Sequence, residues 1–581
     1  MSETHLDTEK ATACESTTLR LWPAVLFALT GFLVSMGVAQ FGSTNEHSIL
    51  SLFLAPMGAF ALLLLWWLFA SRVPWLDRGI GIVLLGLALA ALYLGQNNAD
   101  ISMVRVIFTM FALPYLAYGV VIVFVLSSSR CWGVQRWLAT GYIILATAIL
   151  SLMTVEGWGG DLRPGIIWRW DVAPAMSVES PNAVATLPAK VGEDDWPAFR
   201  GAHNDGILSG VTFATDWATP PAELWRQEVG SGWSSFTVIG DYFYTQEQRG
   251  DYETVICRNV ATGEIVWINS VEAHFVEITG PGPRATPTYK DGKLYTHGAL
   301  GAVQCLDAAT GEVLWKRDLV KDTGARVPQW GFACSPLIVD DLMFLFAGDD
   351  DESDGGSAVV AYEIATGEIA WNKGKGKTGY NTPHLTSIDD VPQILMISHF
   401  GIQSFTAETG EVLWEHEWRS TRYPRVIQPV ITDEGAVFIG TPDGQGTLRI
   451  DVALVDGAWT VTEAWNSKKL RPYFNDGVYR AGHLYGFDGN RITCVDIETG
   501  ANKWSGDRTG GQMLLIEDME AILILSEDGE VILIKADPDE YTIISRFQAI
   551  TGKTWNHPVI ANGKLFVRNS AEMACYELKM D

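Results

Sequence analysis

ATGEIVW (261–267) is the first of a series of close copies that runs along the second half of the chain: ATGEVLW (309–315), ATGEIAW (365–371), AETGEVLW (407–414) and IETGANKW (497–504). Two weaker copies, DGAWTVTEAW (456–465) and DEYTIISRF (539–547), continue the series. The closing Trp or Phe recurs at intervals of 39 to 56 residues, the period of a four-stranded β-propeller blade. The series therefore predicts an all-β propeller domain.

Each part of the repeat has a physical role. The Thr-Gly pair predicts a tight turn at which glycine supplies a positive φ without strain. The strand after the turn ends in a large aromatic side chain, whose apolar face can fill the gap between neighbouring blades. We therefore predict one docking aromatic residue per blade: Trp225, Trp267, Trp315, Trp371, Trp414, Trp465, Trp504 and Phe547.

The first strand of each blade also repeats, with proline near its start in ATPTYKDGKLY (285–295), CSPLIVDDLMF (334–344) and NHPVIANGKLF (556–566). Proline is tolerated on edge strands, and the innermost strand of a blade is an edge that faces the central channel. Eight such strands can be counted, but only seven outer strands follow them. The strand AELWRQEV (222–229) is expected to complete the eighth blade and close the ring. The predicted count is eight blades, with seven as the alternative.

Five apolar runs without charged residues or histidine precede the repeats, at 21–41, 49–70, 79–95, 106–127 and 137–154. Because about 17–20 apolar residues are enough to cross the hydrocarbon core, these runs predict an α-helical membrane domain of five transmembrane helices over 21–154. Lys and Arg occur mainly in the 1–20 tail and in alternate loops, 71–78 and 128–136. This distribution predicts a multi-pass inner-membrane protein with a cytoplasmic N-terminal tail and a periplasmic, extracytoplasmic propeller.

Residues 155–194 contain many Pro, Ala, Ser and Glu residues without an apolar period, which predicts an extended linker before the propeller at 195–581. Basic and acidic residues balance in 1–154, so the whole net charge of −27 lies after residue 154. A domain this acidic repels nucleic acid. Nucleic acid is therefore not an expected partner. The predicted helices make the lipid bilayer one expected partner, and an envelope protein or polysaccharide is the other.

The Trp repeats and the opening segment DWPAFRG (195–201) resemble the propellers of the pyrroloquinoline quinone (PQQ) type. The five-helix anchor before the propeller is laid out like that of membrane-bound quinoprotein glucose dehydrogenase. The resemblance implies PQQ, Ca²⁺ held by a Glu/Asn/Asp set, and membrane quinone as electron acceptor. The superfamily also contains a lipoprotein of the outer-membrane assembly machinery, which binds protein partners. This chain has no Cys-Cys pair like that of the soluble alcohol dehydrogenases, and no set of its residues is matched to the Ca²⁺ ligands.

Polar and aromatic residues at the entries to the inner strands are expected to line one mouth of the channel: Trp233, Arg284, Trp330, Asn381, His384, Arg425, Gln428, Asn475 and His557. Arg284 could hold a carboxylate or a quinone carbonyl, or it could form an ion pair between blades. Asp476 or Glu277 could act as a general base, or either could be a solvated loop acid. The cysteines lack the spacing of a metal site, so no metal ligand is assigned.

Two functions follow from these patterns. The first is a membrane-tethered binding or scaffold module for an envelope protein, peptide or polysaccharide, with no assigned cofactor. The alternative is a PQQ-dependent dehydrogenase that oxidises an alcohol or a sugar and reduces membrane quinone. The sequence contains no phosphate loop, nucleophile elbow or zinc-protease motif that would support another enzyme class.

Overall fold

The computed structural model describes residues 19–41, 50–95, 102–158, 164–171, 176–348, 357–420, 425–432, 434–442 and 444–580. The chain divides into two compact units, residues 1–173 and residues 174–581. The first unit is mainly helical and the second is built from β-strands. Of the predicted N-terminal tail, residues 1–18 lie outside the described residues.

The first unit is an apolar helical domain, as the uncharged runs predict. Its helices are α1 (Leu21–Phe41), α2 (Ala55–Leu65), α3 (Trp75–Gly95), α4 (Ser102–Leu126) and α5 (Trp132–Ser151). Within the described residues, α1, α3, α4 and α5 are long and apolar enough to cross a membrane. The second predicted span differs, because single π-helical turns at Leu50–Leu54 and Trp66–Ala70 flank α2 and leave a regular helix of 11 residues.

The segment predicted as a linker contains a hairpin and a docked stretch. Immediately after α5, β1 (Met153–Trp158) pairs antiparallel with β2 (Pro164–Trp168). Residues 176–194 contain no helix or strand. They run along the propeller, where the N–H of Ala183 donates to the carbonyl of Val266 (3.1 Å). This part of the segment therefore belongs to the second unit.

The second unit is a propeller of eight blades, each built on four antiparallel strands. From the channel outward, blades 1 to 4 contain β5 (Thr237–Ile239), β6 (Tyr242–Arg249), β7 (Tyr252–Asn259), β8 (Ile265–Glu272); β9 (Thr288–Lys290), β10 (Lys293–His297), β11 (Ala302–Asp307), β12 (Val313–Asp318); β13 (Leu337–Val339), β14 (Leu342–Phe346), β15 (Val359–Glu363), β16 (Ile369–Lys373); β17 (His384–Ile388), β18 (Val391–Ile397), β19 (Gly401–Phe405) and β20 (Val412–Glu417). One short helix, α6 (Leu319–Thr323), follows β12.

Blades 5 to 8 contain β21 (Val430–Ile431), β22 (Ala436–Thr441), β23 (Gly446–Val455), β24 (Ala458–Ser467); β25 (Val478–Arg480), β26 (His483–Asp488), β27 (Arg491–Asp496), β28 (Asn502–Arg508); β29 (Gln512–Ile516), β30 (Ala521–Leu525), β31 (Glu530–Lys535), β32 (Ile543–Gln548); β33 (Val559–Ala561), β34 (Lys564–Arg568), β35 (Glu572–Glu577) and β4 (Ala222–Glu228). Strand β3 (Ile207–Leu208) adds in parallel to β29. The prediction of eight blades is confirmed, and the alternative of seven is wrong.

The ring closes where β4 supplies the outer strand of the eighth blade, as the sequence predicts. Trp225 of β4 lies opposite Cys575 of β35 in the antiparallel register. Because the first and last parts of the domain share one sheet, the eighth blade completes its four strands and unfolding must separate both ends of the chain.

Most docking tryptophans join their blade to the next through an indole hydrogen bond, a close contact with a turn glycine, or both. Six of them donate their indole N–H to a backbone carbonyl of the following blade, as Trp267 does to Ala308 (3.2 Å). Trp414 instead donates to the side chain of Gln393 (2.6 Å) in its own blade. In five blades the ring also rests against the turn glycine of the following repeat. A Cβ built on that glycine would lie only 2.5 to 2.9 Å from the indole.

Small residues on the neighbouring strand make room for these rings. Cys257, Cys305, Cys494 and Cys575 are fully buried and free, and each lies in register opposite a docking tryptophan. Their thiols act as small apolar groups, since burial raises the pKa of each above its usual value.

The close contact at the turn can be separated from the backbone requirement of the turn. Gly311 and Gly292 have similar positive φ angles, 75° and 78°, but only a Cβ at Gly311 would meet a neighbour, 2.6 Å from Trp267. We expect Gly311→Ala to lower the free energy of unfolding by about 1–3 kcal/mol more than Gly292→Ala, because only the first overpacks the docked ring. Chemical unfolding of both variants measures this difference. Equal losses would show that only the φ angle matters.

Candidate functional site

Eight residues, one from each blade, surround the channel where the inner strands begin, and we call them the entry ring: Ser235, Thr286, Ser335, Thr382, Gln428, Asp476, Gln512 and His557. In six neighbouring pairs the backbone N–H of one member donates to the side-chain oxygen of the next, at 2.7 to 3.1 Å. The Ser235 hydroxyl donates to the His557 carbonyl (2.7 Å). The inner strands, which form no sheet with one another, are therefore tied together at this end of the channel.

Three asparagines directly before the entry ring form a second set of links between blades. The side-chain amides of Asn381, Asn475 and Asn556 donate to backbone carbonyls of the following blade, at 3.4, 2.6 and 2.7 Å. Asn381 and Asn475 are both buried, and neither lines the cavity at this end. Their position at the predicted mouth is thus explained by holding neighbouring blades together.

A cavity of about 150 Å³ lies inside the entry ring. Six residues that the sequence placed at the mouth line it: Trp233, Arg284, Trp330, Gln428, Asp476 and His557. The other five do not line it: Glu277, Asn381, His384, Arg425 and Asn475. The structure therefore brings together about half of the predicted set.

Six aromatic side chains form a continuous wall of the cavity, which we call the aromatic wall: Trp233, Trp330, Tyr380, Tyr473, Phe474 and Trp555. Neighbouring ring centroids along it are 4.6 to 6.1 Å apart. Pairs at this separation and tilt are favourable for aromatic rings. The wall brings residues from blades 1, 3, 4, 6 and 8, or the loops before them, to one surface.

The blade register decides which residues reach the cavity. In seven blades the residue two positions before the entry ring lines it: Trp233, Arg284, Ala333, Tyr380, Val426, Phe474 and Trp555. Tyr380, Phe474 and Trp555 were not among the residues predicted at the channel mouth, although each stands directly before one of the three linking asparagines. The recurring pair of an aromatic residue and asparagine was the signal that could have found them.

The segment 196–206 runs along this cavity, contributes Phe199 to its lining and reaches several inner strands. The Trp196 backbone pairs with Val238 of blade 1, and the Pro197 carbonyl accepts a hydrogen bond from Tyr289 of blade 2. At its far end the Arg200 side chain donates to the Gly477 carbonyl of blade 6 (3.0 Å). Phe199 lines the cavity and packs edge-on against His557, with centroids 4.7 Å apart. The segment therefore forms a floor under the cavity.

Both oxygens of the Asp476 carboxylate are engaged at this floor. Oδ1 accepts the N–H of Gln428 (2.7 Å), while Oδ2 accepts Nε2–H of His557 (2.9 Å) and pairs with Arg200 (3.3 Å). Burial pushes the pKa of Asp476 up, but the Arg200 charge and these hydrogen bonds outweigh it and hold the pKa below its usual value. Burial lowers the pKa of His557 more than Asp476 raises it. An ionised Asp476 and a neutral His557 follow, with Nε2 carrying the proton.

The remaining predicted residues serve the loops and strands behind the cavity. Glu277 forms a buried ion pair with Arg284 (2.7 Å), so the guanidinium is held inside its own loop, where it also donates to the carbonyls of Gly280 and Gly282. Arg425 is fully buried and donates to carbonyls in blade 4 and its loops, including that of Ser398 (2.7 Å). Burial lowers the pKa of His384 to about 4, so this imidazole is neutral.

The cavity can be tested against the cofactors that the sequence resemblance implies. Ca²⁺ requires several oxygen ligands, usually more than one carboxylate. Asp476 is the one carboxylate among the residues that line this cavity, and its oxygens already serve Arg200, His557 and Gln428. Nowhere in the described part of the chain do three or more His, Cys, Asp or Glu side chains form a group that could hold a metal ion. The donor set does not fit a quinone held by Ca²⁺.

The buried pair of Arg200 and Asp476 should behave as one unit. Removing one partner of a buried ion pair leaves an uncompensated charge and costs about 3–5 kcal/mol. We expect Arg200→Met and Asp476→Asn each to lower the free energy of unfolding by this amount, and the double variant to lose clearly less than the sum. Chemical unfolding of the four proteins gives the coupling. Additive losses would show that the pair does not interact.

Stability should also depend on pH through Glu253, a buried acid beside Arg284. Burial raises the pKa of Glu253 to about 7, although the Ala299 N–H and Arg284 oppose it. The folded chain then keeps a proton that the unfolded chain has released, so this group's contribution to stability falls as pH rises from about 4.5 to 7. Glu253→Gln cannot ionise, and should gain about 1–3 kcal/mol over the natural protein between pH near 5 and pH near 8. A melting-temperature difference that does not change with pH would contradict this, and Glu272→Gln at an exposed position serves as the control variant.

Comparison with known proteins identifies relatives of the propeller. Outer membrane protein assembly factor BamB of Shewanella oneidensis is 22% identical over 338 residues, which cover 49% of this chain and 82% of that protein. Quinoprotein alcohol dehydrogenase PedH of Pseudomonas putida is 30% identical over 145 residues, but the match covers only 23% of this chain and 22% of the enzyme. The solved structure of quinohemoprotein alcohol dehydrogenase ADHIIG from Pseudomonas putida HK5 has 13% identity and a TM-score of 0.49, and covers 68% of this chain and 83% of that one.

A family model described as outer membrane protein assembly factor BamB matches residues 270–506 and 398–579. The two ranges overlap and together span more than half of the chain. The eight four-stranded blades and the docking tryptophans of this chain agree with the match. The chain therefore belongs to the PQQ-like β-propeller family that this model describes.

Proposed function

We propose that the chain is a membrane-tethered binding module, whose propeller lies on the periplasmic side of the inner membrane and holds an envelope partner at the cavity. The observation that carries the proposal is the engagement of Asp476 by Arg200, His557 and the Gln428 N–H. With its carboxylate occupied and its walls aromatic, the cavity offers contact surface and hydrogen bonds but, among the described residues that line it, no free carboxylate for a metal ion. This combination favours binding over oxidation.

The helical unit supports the proposed orientation. Asp77 at the start of α3 accepts a hydrogen bond from Trp132 (2.6 Å) and pairs with Arg136 (3.0 Å), both near the start of α5. The loops before α3 and before α5 therefore lie at the same end of the bundle. Together with the first turns of those two helices, they carry four of the seven basic residues of 1–154. Short loops rich in Lys and Arg stay in the cytoplasm, so α5 would lead away from it toward the propeller.

The nature of the partner is suggested by the relatives. Similarity to an outer membrane protein assembly factor extends over 82% of that protein's length, which supports a partner in the cell envelope: a protein, a peptide or a polysaccharide. The membrane-spanning helices supply the tether, and the acidic surface of the propeller disfavours nucleic acid.

A PQQ-dependent dehydrogenase is the second candidate, favoured by the 30% identity to PedH over 145 residues. Such an enzyme would oxidise an alcohol or a sugar and pass electrons to membrane quinone. Two observations count against this candidate. The Asp476 carboxylate is already paired with Arg200 and is not free to hold a metal ion. Arg284 is already paired with Glu277 and is not free to hold the carboxylates of the quinone.

Titration of the full-length protein with PQQ and Ca²⁺ distinguishes the two functions. For a binding module we expect no change in cofactor absorbance and no rise in the melting temperature, since a ligand stabilises a protein only by binding its folded state. Saturable one-to-one binding with a Ca²⁺-dependent rise in melting temperature would contradict the proposal.

The binding role itself is testable in intact cells by photo-crosslinking. A benzoylphenylalanine in place of Tyr473, in the aromatic wall, should give a defined adduct with an envelope component. The same group in place of Leu314, an exposed residue on β12, serves as the matched control. Equal adducts from both positions, or none from position 473, would contradict binding at the cavity.

A further inference from the structure

Three tryptophans of the aromatic wall differ from the tryptophans that dock the blades. All seven docking tryptophans donate their indole N–H to an oxygen, at 2.6 to 3.2 Å. The indole nitrogens of Trp233, Trp330 and Trp555 are buried and have no hydrogen-bond partner among the described residues. A buried donor without an acceptor costs free energy, so three of them around one cavity indicate a missing ligand or ordered water.

The cavity also presents an acceptor on His557. Because Nε2 of His557 donates to Asp476, the proton-free Nδ1 is left with its lone pair, and it makes no hydrogen bond within the part of the chain that the structure describes. A ligand in the cavity can therefore donate to His557, and where the wall rings turn their buried N–H groups toward the cavity, its oxygens can accept from them. Hydroxyl groups do both.

Charges around the cavity are already balanced within the protein. Arg284 pairs with Glu277, and Arg200 pairs with Asp476, in both cases with side chains less than a tenth exposed. Lys553 donates to the Thr279 carbonyl and lies over the rings of Trp233 and Trp555, at 4.9 and 4.6 Å. An ionic ligand that bound Arg284 or Asp476 would have to break one of the two buried ion pairs, so an uncharged ligand is favoured.

We infer that the cavity binds an uncharged saccharide unit, such as one residue of an envelope polysaccharide or glycan. A pyranose ring has C–H faces that pack on aromatic rings and hydroxyls that both accept and donate hydrogen bonds. The aromatic wall matches the first property, and the three indoles with His557 match the second. This inference rests on the proposed binding function and names its ligand class.

The inference is tested by calorimetric titration of the full-length protein, in a detergent without a sugar headgroup, with maltotetraose, cellotetraose and chitotetraose. At least one should bind saturably, at affinities that a range up to roughly 10 mM covers. Trp330→Phe keeps an aromatic face but removes the N–H, and should weaken binding about threefold to tenfold. Trp330→Ala removes both and should weaken it further. Trp459→Ala, on β24 away from the cavity, should leave the affinity unchanged.

Two other outcomes would overturn the inference. Binding that survives Trp330→Ala, or is lost equally in Trp459→Ala, would overturn the assignment of the cavity. No saccharide binding, with binding of an uncharged peptide such as tetra-alanine blocked by an N-terminal acetyl group and a C-terminal amide, would overturn the ligand class. Crosslinking from position 473 decides the binding function separately, so a failure of the saccharide inference can be told apart from a failure of the proposed function.

Discussion

The contact between a docking indole and the next blade is the interaction on which the rest of the propeller depends. Each blade alone would expose one apolar face, and the tryptophan covers it while its N–H satisfies a carbonyl of the neighbour. Glycine at the turn is required because the ring occupies the space that a Cβ would take. This contact lies on the outer part of the blades and leaves their inner ends free to vary.

At the inner ends, the same eightfold repetition is used for a different purpose. The entry ring ties the inner strands together with side-chain hydrogen bonds, so the residue two positions earlier is held at the edge of the cavity. In three blades that residue is aromatic and is followed by a linking asparagine. The site is thus built by the register of the repeat, and its precision comes from structural hydrogen bonds behind it.

The sequence predicted the fold well because its signals are local and repeated: a docking tryptophan in seven of the eight blades, and a Thr-Gly turn and an inner proline in five blades each. It predicted the site only in part, because burial depends on partners far along the chain. Asp476, for example, is paired with Arg200, which lies 276 positions earlier and which no sequence pattern connects to it. Glu277 and Arg284 were both recognised, but their pairing, which removes them from chemistry, follows only from the geometry. The interrupted second helix likewise depends on backbone detail that hydropathy does not contain.

At this cavity, a binding module and a metal-dependent enzyme would differ in whether the floor leaves a carboxylate free to hold the metal ion. Here the floor segment inserts Arg200, which neutralises Asp476, and His557 takes the remaining hydrogen bond. The blades and the docking contacts impose no such choice, since a shared fold does not fix a shared chemistry. A segment that enters the channel from outside the repeats can therefore change the chemistry of the cavity without changing a blade. On the proposed function, the paired carboxylate at the floor of the cavity, and not any feature of the blades, is what favours a binding role.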